Sequence, residues 1–124
     1  MIYGIGADLI EVTRVKNSIE KIGGFKEKIF SPDEIVYCES KKNRFESYAG
    51  RFAAKEAYFK ALGTGWRNGL AFNEIEIVND SLGKPSVRLT GKAAVHAKDI
   101  GFVNTLVTIT HIKETAAAFV IIEK

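Results

Sequence analysis

Glu56 and Lys60 are the pair in this chain whose types and spacing most suggest chemistry. They lie within Arg51–Gly65, which reads Arg-Phe-Ala-Ala-Lys-Glu-Ala-Tyr-Phe-Lys-Ala-Leu-Gly-Thr-Gly. Residues at i and i+4 are neighbours on a helix, and these two share a side with Phe52, Ala53 and Ala57. Such a pair can be a surface ion pair worth roughly 0.3–0.5 kcal/mol. A carboxylate and an ammonium among small residues on a buried helix, however, are costly unless something compensates them. The alanines and the Gly-Thr-Gly that follows leave room for another backbone or a ligand. The chemistry this favours is a metal-binding glutamate beside a lysine that neutralises phosphate, and it needs a second carboxylate elsewhere.

Asp8 supplies one. Ile2–Ile10 reads as an apolar strand ending near Asp8. Side chains alternate along a strand, so Gly4, Gly6 and Asp8 share a face. Two glycines on one face mark the close approach of a backbone or a ligand, and Asp8 then points where they leave room. A helix cap or a turn residue is the alternative reading of Asp8. His111 closes a later strand beside a turn, where functional groups collect, although an isolated histidine is commonly a hydrogen-bonded structural residue.

The positioning elements follow from the pattern. The central stretch has no Pro, Gly or β-branched residue up to Leu62, and Gly63 suits a helix C-cap. With little polar face, this helix is expected to be largely buried. Thr13–Ile22 fits a short amphipathic helix with Val15, Ile19 and Ile22 as its stripe and Arg14, Lys16 and Lys21 away from it. Ser31-Pro32-Asp33-Glu34 is a capping-box start for a helix to about Ser40. Lys41-Lys42-Asn43-Arg44 is a basic link, either a solvated loop or a phosphate-binding patch. Trp66–Gly69 reads as a loop. Phe72–Val78 alternates as a half-exposed strand, Val87–Leu89 returns, and Lys92–Ile100 forms a helix carrying a surface His96. Thr105–Thr110 and Ala116–Ile122 close the chain as strands. The order β-α-α-α-β-β-α-β-β is an α+β pattern, not the alternation of a Rossmann or barrel fold.

The 124 residues fit one domain, with hydrophobic content of 46% and charged content of 27%, ordinary for a globular protein. There is no apolar run of membrane-spanning length and no leader pattern, so the expectation is a cytoplasmic protein without membrane partners. Cys38 is the single cysteine, which excludes a disulfide framework. The net charge of +3 suits nucleic acid, a phosphorylated small molecule or an acidic protein equally. No Walker A sequence or dinucleotide fingerprint is present.

Taken together, Gly4-Ile5-Gly6-Ala7-Asp8, Arg14, Gly50–Ala57, Lys60-Ala61, Gly63-Thr64-Gly65, Gly83-Lys84-Pro85 and Thr108–His111 with Lys113-Glu114 and Ala116–Ala118 resemble one family from end to end. It is the holo-[acyl-carrier-protein] synthases, the short single-domain class of 4′-phosphopantetheinyl transferases. The resemblance implies an α+β domain in which an antiparallel sheet packs with a long central helix. It implies transfer of the phosphopantetheine arm of coenzyme A to a serine of an apo acyl carrier protein. Asp8 and Glu56 then correspond to Mg²⁺ ligands and, with Lys60 at the diphosphate, to the catalytic set. Arg51, His111, Gly63, Gly65, Lys42 and Arg44 fall at the coenzyme A site, with the base that meets the 3′-phosphate left open among residues 41–44. Arg14 lies on the helix that grips the acidic carrier, flanked by Lys16 and Lys21. The family forms homotrimers with sites between subunits.

The reaction asks for these residue types in its own right. Mg²⁺ binds through one or two carboxylates with phosphates and waters, and phosphoryl transfer rests on positioning and charge neutralisation. A Mg²⁺-dependent diphosphate hydrolase would use the same ligands with water as the nucleophile. A nucleic-acid-binding domain would need basic charge interleaved with exposed aromatics, whereas the aromatics here sit at core spacing, so no nucleic-acid partner is expected.

Overall fold

Glycine and alanine set the architecture, because they let a long helix lie against a sheet at very short range. The structure, a computed structural model, describes residues 1–64 and 69–124. Its elements run β1 (Ile2–Glu11), α1 (Val12–Glu20), α2 (Phe25–Ile29), α3 (Pro32–Glu39), α4 (Arg44–Leu62), β2 (Ile75–Asn79), β3 (Pro85–Leu89), α5 (Gly91–Ile100), β4 (Asn104–His111) and β5 (Thr115–Glu123). Strands β1, β5 and β4 form an antiparallel sheet in that spatial order, and β2 pairs with β3 as a separate antiparallel hairpin. The α+β class and the sheet against a central helix are as expected. The element order is too, with one addition, the five-residue α2.

Gly4 and Gly6 of β1 face α4. A Cβ on either would run into the carbonyl oxygen of Ala61 or Ala57, so the close approach read from the glycines is that of a backbone. Beside them β5 offers Ala116, Ala118, Val120 and Ile122, all fully buried. Twelve of the nineteen residues of α4 are buried, which meets the expectation for a helix without a polar face. Gly63 closes it in the left-handed conformation, φ 81°.

A buried ionic knot braces the other side of α4. The Glu34 carboxylate completes the expected capping box by accepting from the Ser31 N–H at 3.0 Å. It also accepts from the Ile77 N–H and, at 2.7 Å, from the Lys55 ammonium. Lys55, fully buried, donates further to the carbonyls of Phe72 and Ile75. Burial pushes this ammonium below its ordinary value, and the Glu34 charge opposes the shift. Cys38 is buried too, and burial pushes its thiol up to about 12.

The basic link leads directly into α4, which begins at Arg44 and carries Gly50 inside it. There a Cβ would come within 2.8 Å of Ile109 Cγ2, so Gly50 lets the helix meet β4. Three sequence expectations are corrected. Helix α1 ends at Glu20, which drops Ile22 out of the apolar stripe and leaves it fully exposed. Phe72–Val78 is not one half-exposed strand: Phe72–Glu74 is a 3-10 turn, and Glu76 is buried, bound by the Ser31 hydroxyl and Arg88. His96 is half-buried against Phe102 and not a fully exposed residue, and its Nδ1 has no hydrogen-bond partner among the described residues. Among the described residues no helix is long and apolar enough to cross a membrane.

Candidate active site

The contact of β1 with α4 brings the two acids together. Asp8 follows Gly4 and Gly6 along the inner face of β1, and its carboxylate is 14% exposed. Lys60, on α4, places its ammonium 3.1 Å from Asp8 Oδ1, across 52 residues of sequence. Thus the lysine turns to the strand's acid. Glu56, one turn earlier on the same helix, is half-buried. Burial holds its carboxyl above the ordinary value, the neighbouring Asp8 charge adds to this, and Lys60 opposes it. Two acids sharing one lysine in a partly desolvated site are relieved by a hard cation. Among the described residues no third Cys, His, Asp or Glu joins them. Two carboxylates with substrate phosphates and waters suit Mg²⁺.

A second cavity opens between α3, α4, the β2–β3 hairpin and the end of β4. His111 and Arg51 both line it, with Tyr37, Ser47, Gly50 and Gly83. His111 is 40% exposed, and its Nδ1 lies 2.9 Å from Glu46 Oε1. Arg51 is different. Its side chain is 5% exposed, its guanidinium sits 4.1 Å from the Tyr37 ring centre, and it donates to Asn79 Oδ1 and the Ile77 carbonyl. Arg51 therefore forms a wall that ties helix to hairpin, and its buried Nε has no hydrogen-bond partner among the described residues.

The remaining basic residues scatter. Lys42 and Arg44 line a separate groove with Lys16, Glu46 and Lys113; it adjoins His111 through Glu46, but neither base lines the cleft of Arg51 and His111. Because α4 starts at Arg44, the link before it is a short turn whose side chains fan outward. Lys41, which the sequence did not distinguish from its neighbours, points its ammonium over the Tyr37 ring at 4.6 Å, at the cleft wall. Arg14 and Lys16 are two positions apart and so about 200° apart around α1. Arg14 lines a cleft with Ser18, Phe25 and Phe52, whereas Lys16 lies over Phe45. Lys21, beyond the helix, flanks Phe25 together with Lys28. The three residues thus do not form one face; Arg14 and Lys21 share a neighbourhood and Lys16 leaves it. Gly65 and most of the Trp66–Gly69 loop lie outside the described residues.

The two parts of the site lie on different flanks of α4. Arg51 and Glu56, five positions apart, are about 140° apart around the helix. Asp8 is on β1 and His111 on β4, on opposite sides of β5. The outer face of this sheet is apolar and uncovered, with Ile5, Leu9, Leu106 and Phe119 exposed at 68%, 70%, 52% and 49%.

Comparison with known proteins bears on this geometry. Residues 4–118 match the 4′-phosphopantetheinyl transferase superfamily. A holo-[acyl-carrier-protein] synthase of Solibacter usitatus is 48% identical over 124 residues, covering 99% of each chain. The crystal structure of the holo-[acyl-carrier-protein] synthase from Neisseria meningitidis superposes with a TM-score of 0.92 at 34% identity over the full length of both chains. The Bacillus anthracis enzyme, solved in complex with CoA (3′,5′-ADP), gives a TM-score of 0.82 at 36% identity, covering 100% of this chain and 98% of its own.

Proposed function

The chain belongs to the 4′-phosphopantetheinyl transferase superfamily, and from that premise we propose that it moves the phosphopantetheine arm of coenzyme A onto a serine of an apo acyl carrier protein, releasing adenosine 3′,5′-bisphosphate. The observation that carries this reading is the meeting of Asp8, Glu56 and Lys60 at one place. In the transfer, the serine oxygen forms a bond to the phosphorus that bears the pantetheine arm. The bond from that phosphorus to the bridging oxygen breaks, and the bisphosphate leaves with the added charge. Asp8 and Glu56 would hold Mg²⁺, which supplies charge neutralisation at the diphosphate when bound. Lys60, half-exposed beside Asp8, reaches toward the same phosphates and stabilises the departing charge.

The nucleotide end of coenzyme A takes the cleft of His111 and Arg51, with Lys41 at its wall. Because that cleft and the carboxylates sit on different flanks of α4, a working site combines the acids of one copy with the cleft of another. The uncovered apolar face of the sheet supports such self-association, and a homotrimer closes it, as the family resemblance implies. Arg14 and Lys21 steer an acidic carrier protein to the Phe25 cleft, next to the carboxylates. The protein acts in the cytoplasm on this reading.

Intact-mass spectrometry of an apo acyl carrier protein incubated with coenzyme A, Mg²⁺ and the enzyme tests the proposal. A carrier that gains the phosphopantetheine mass is the expected result. Cleavage of coenzyme A with an unmodified carrier would replace transfer by hydrolysis, and no turnover would remove the enzymatic reading.

A further inference from the structure

Glu46 stands third in α4, the position from which a glutamate ordinarily reaches back to its own helix cap. It does not do so here. Asn43 caps without a side-chain bond, and the Glu46 carboxylate instead crosses to His111 Nδ1 at 2.9 Å, 65 residues away. The contact is built for: Gly50, one turn further along α4, has no Cβ, and one placed there would meet Ile109 Cγ2 at 2.8 Å and His111 Cδ2 at 3.9 Å. The helix and β4 thereby approach closely enough for a glutamate to span them. Glu46 itself is largely buried, with its side chain 17% exposed.

We propose that Glu46 is a positioning residue that fixes the ring orientation and tautomer of His111 for the nucleotide end of coenzyme A. This rests on the reading of the His111 cleft given above. An ionised carboxylate only accepts hydrogen bonds, so Nδ1 must carry the proton. The nitrogen bonded to an outside partner sets the role of the other, and Nε2 becomes the atom offered to the ligand. It accepts from a ribose or amino hydrogen while the ring is neutral and donates to a phosphate oxygen when the ring is protonated. Unconstrained neutral histidine favours the proton on Nε2, so Glu46 reverses the default. Without it the ring can turn, and half of its orientations offer the wrong atom.

Nitrogen-15 NMR of His111 in the ligand-free full chain at alkaline pH, together with steady-state kinetics, tests this. The wild type shows the Nδ1–H tautomer, and Glu46→Ala shows the ordinary Nε2–H form. Glu46→Ala raises KM for coenzyme A about tenfold with kcat changed by less than about twofold, the size of one lost oriented hydrogen bond. His111→Ala gives a similar rise, and the double variant adds nothing further, as expected of two residues acting as one unit. Glu46→Gln, which keeps a carbonyl acceptor, retains most of the affinity. If His111→Ala raises KM while Glu46→Ala leaves KM and tautomer unchanged, the positioning role is wrong and the cleft reading stands. If His111→Ala leaves KM unchanged, the cleft reading itself fails and takes the positioning role with it.

Discussion

Lys55→Met probes the frame that carries Glu56. Lys55 is fully buried and spends all three of its hydrogens, on Glu34 Oε1 at 2.7 Å, the Ile75 carbonyl at 2.7 Å and the Phe72 carbonyl at 3.0 Å. Methionine fills similar volume but leaves Glu34, also fully buried, as a carboxylate whose nearest remaining cation is Arg51 Nε at 3.8 Å. Removing one partner of a buried ion pair costs about 3–5 kcal/mol. A domain of this size has about 5–15 kcal/mol in total, so the variant should lose roughly a fifth or more of its stability. Urea unfolding followed by far-ultraviolet circular dichroism measures this. Adding Glu34→Gln should recover part of the loss, because an amide replaces the uncompensated charge. A single-variant loss below about 1 kcal/mol would refute the reasoning, since even an exposed pair reaches that value.

Glu56→Gln should lower kcat about 100-fold or more, the scale seen when a charge-stabilising group is removed, as read by the carrier mass assay. The same change should raise the metal-free thermal midpoint at neutral pH. Burial and Asp8 raise Glu56 above 4.5, so its contribution to stability is intact below that value and lost as pH rises through the raised one; glutamine escapes this loss, and the gain should vanish in acid. Arg14→Glu should reduce kcat/KM for the carrier about tenfold at low ionic strength, with the difference shrinking as salt screens it. Gly6→Ala should destabilise by about 1–3 kcal/mol through overpacking, and should depress transfer as well by prising Asp8 away from Glu56; unchanged unfolding curves would contradict the close contact of β1 with α4.

Much of the acidic half of the site was legible in the sequence, because local rules govern it. Strand parity put Gly4, Gly6 and Asp8 on one face, and helix spacing put Glu56 beside Lys60. What the sequence left open was whether the glycines admit a ligand or a backbone, and the Ala57 and Ala61 carbonyls answer that. The basic half was less legible. Lys41, Lys42 and Arg44 lie within four residues, yet Lys42 and Arg44 share one groove while Lys41 lies over the Tyr37 ring at another. Arg14 and Lys16 diverge because residues two positions apart lie about 200° apart around a helix. The Glu34–Lys55 knot and the Glu46–His111 contact join elements remote in sequence, and no local periodicity marks such pairs.

The central claim is that the carboxylates of one copy act with the nucleotide cleft of another. Ser47→Trp fills the cleft and leaves Asp8, Glu56 and Lys60 intact, whereas Glu56→Gln spoils the acids and leaves the cleft open. Each variant alone should be nearly inactive in the carrier mass assay. Co-expressed in equal amounts and assembled at random, they should recover about a quarter of wild-type activity, since one interface in four then pairs an intact acid set with an intact cleft. A mixture as inactive as its parents would contradict the account.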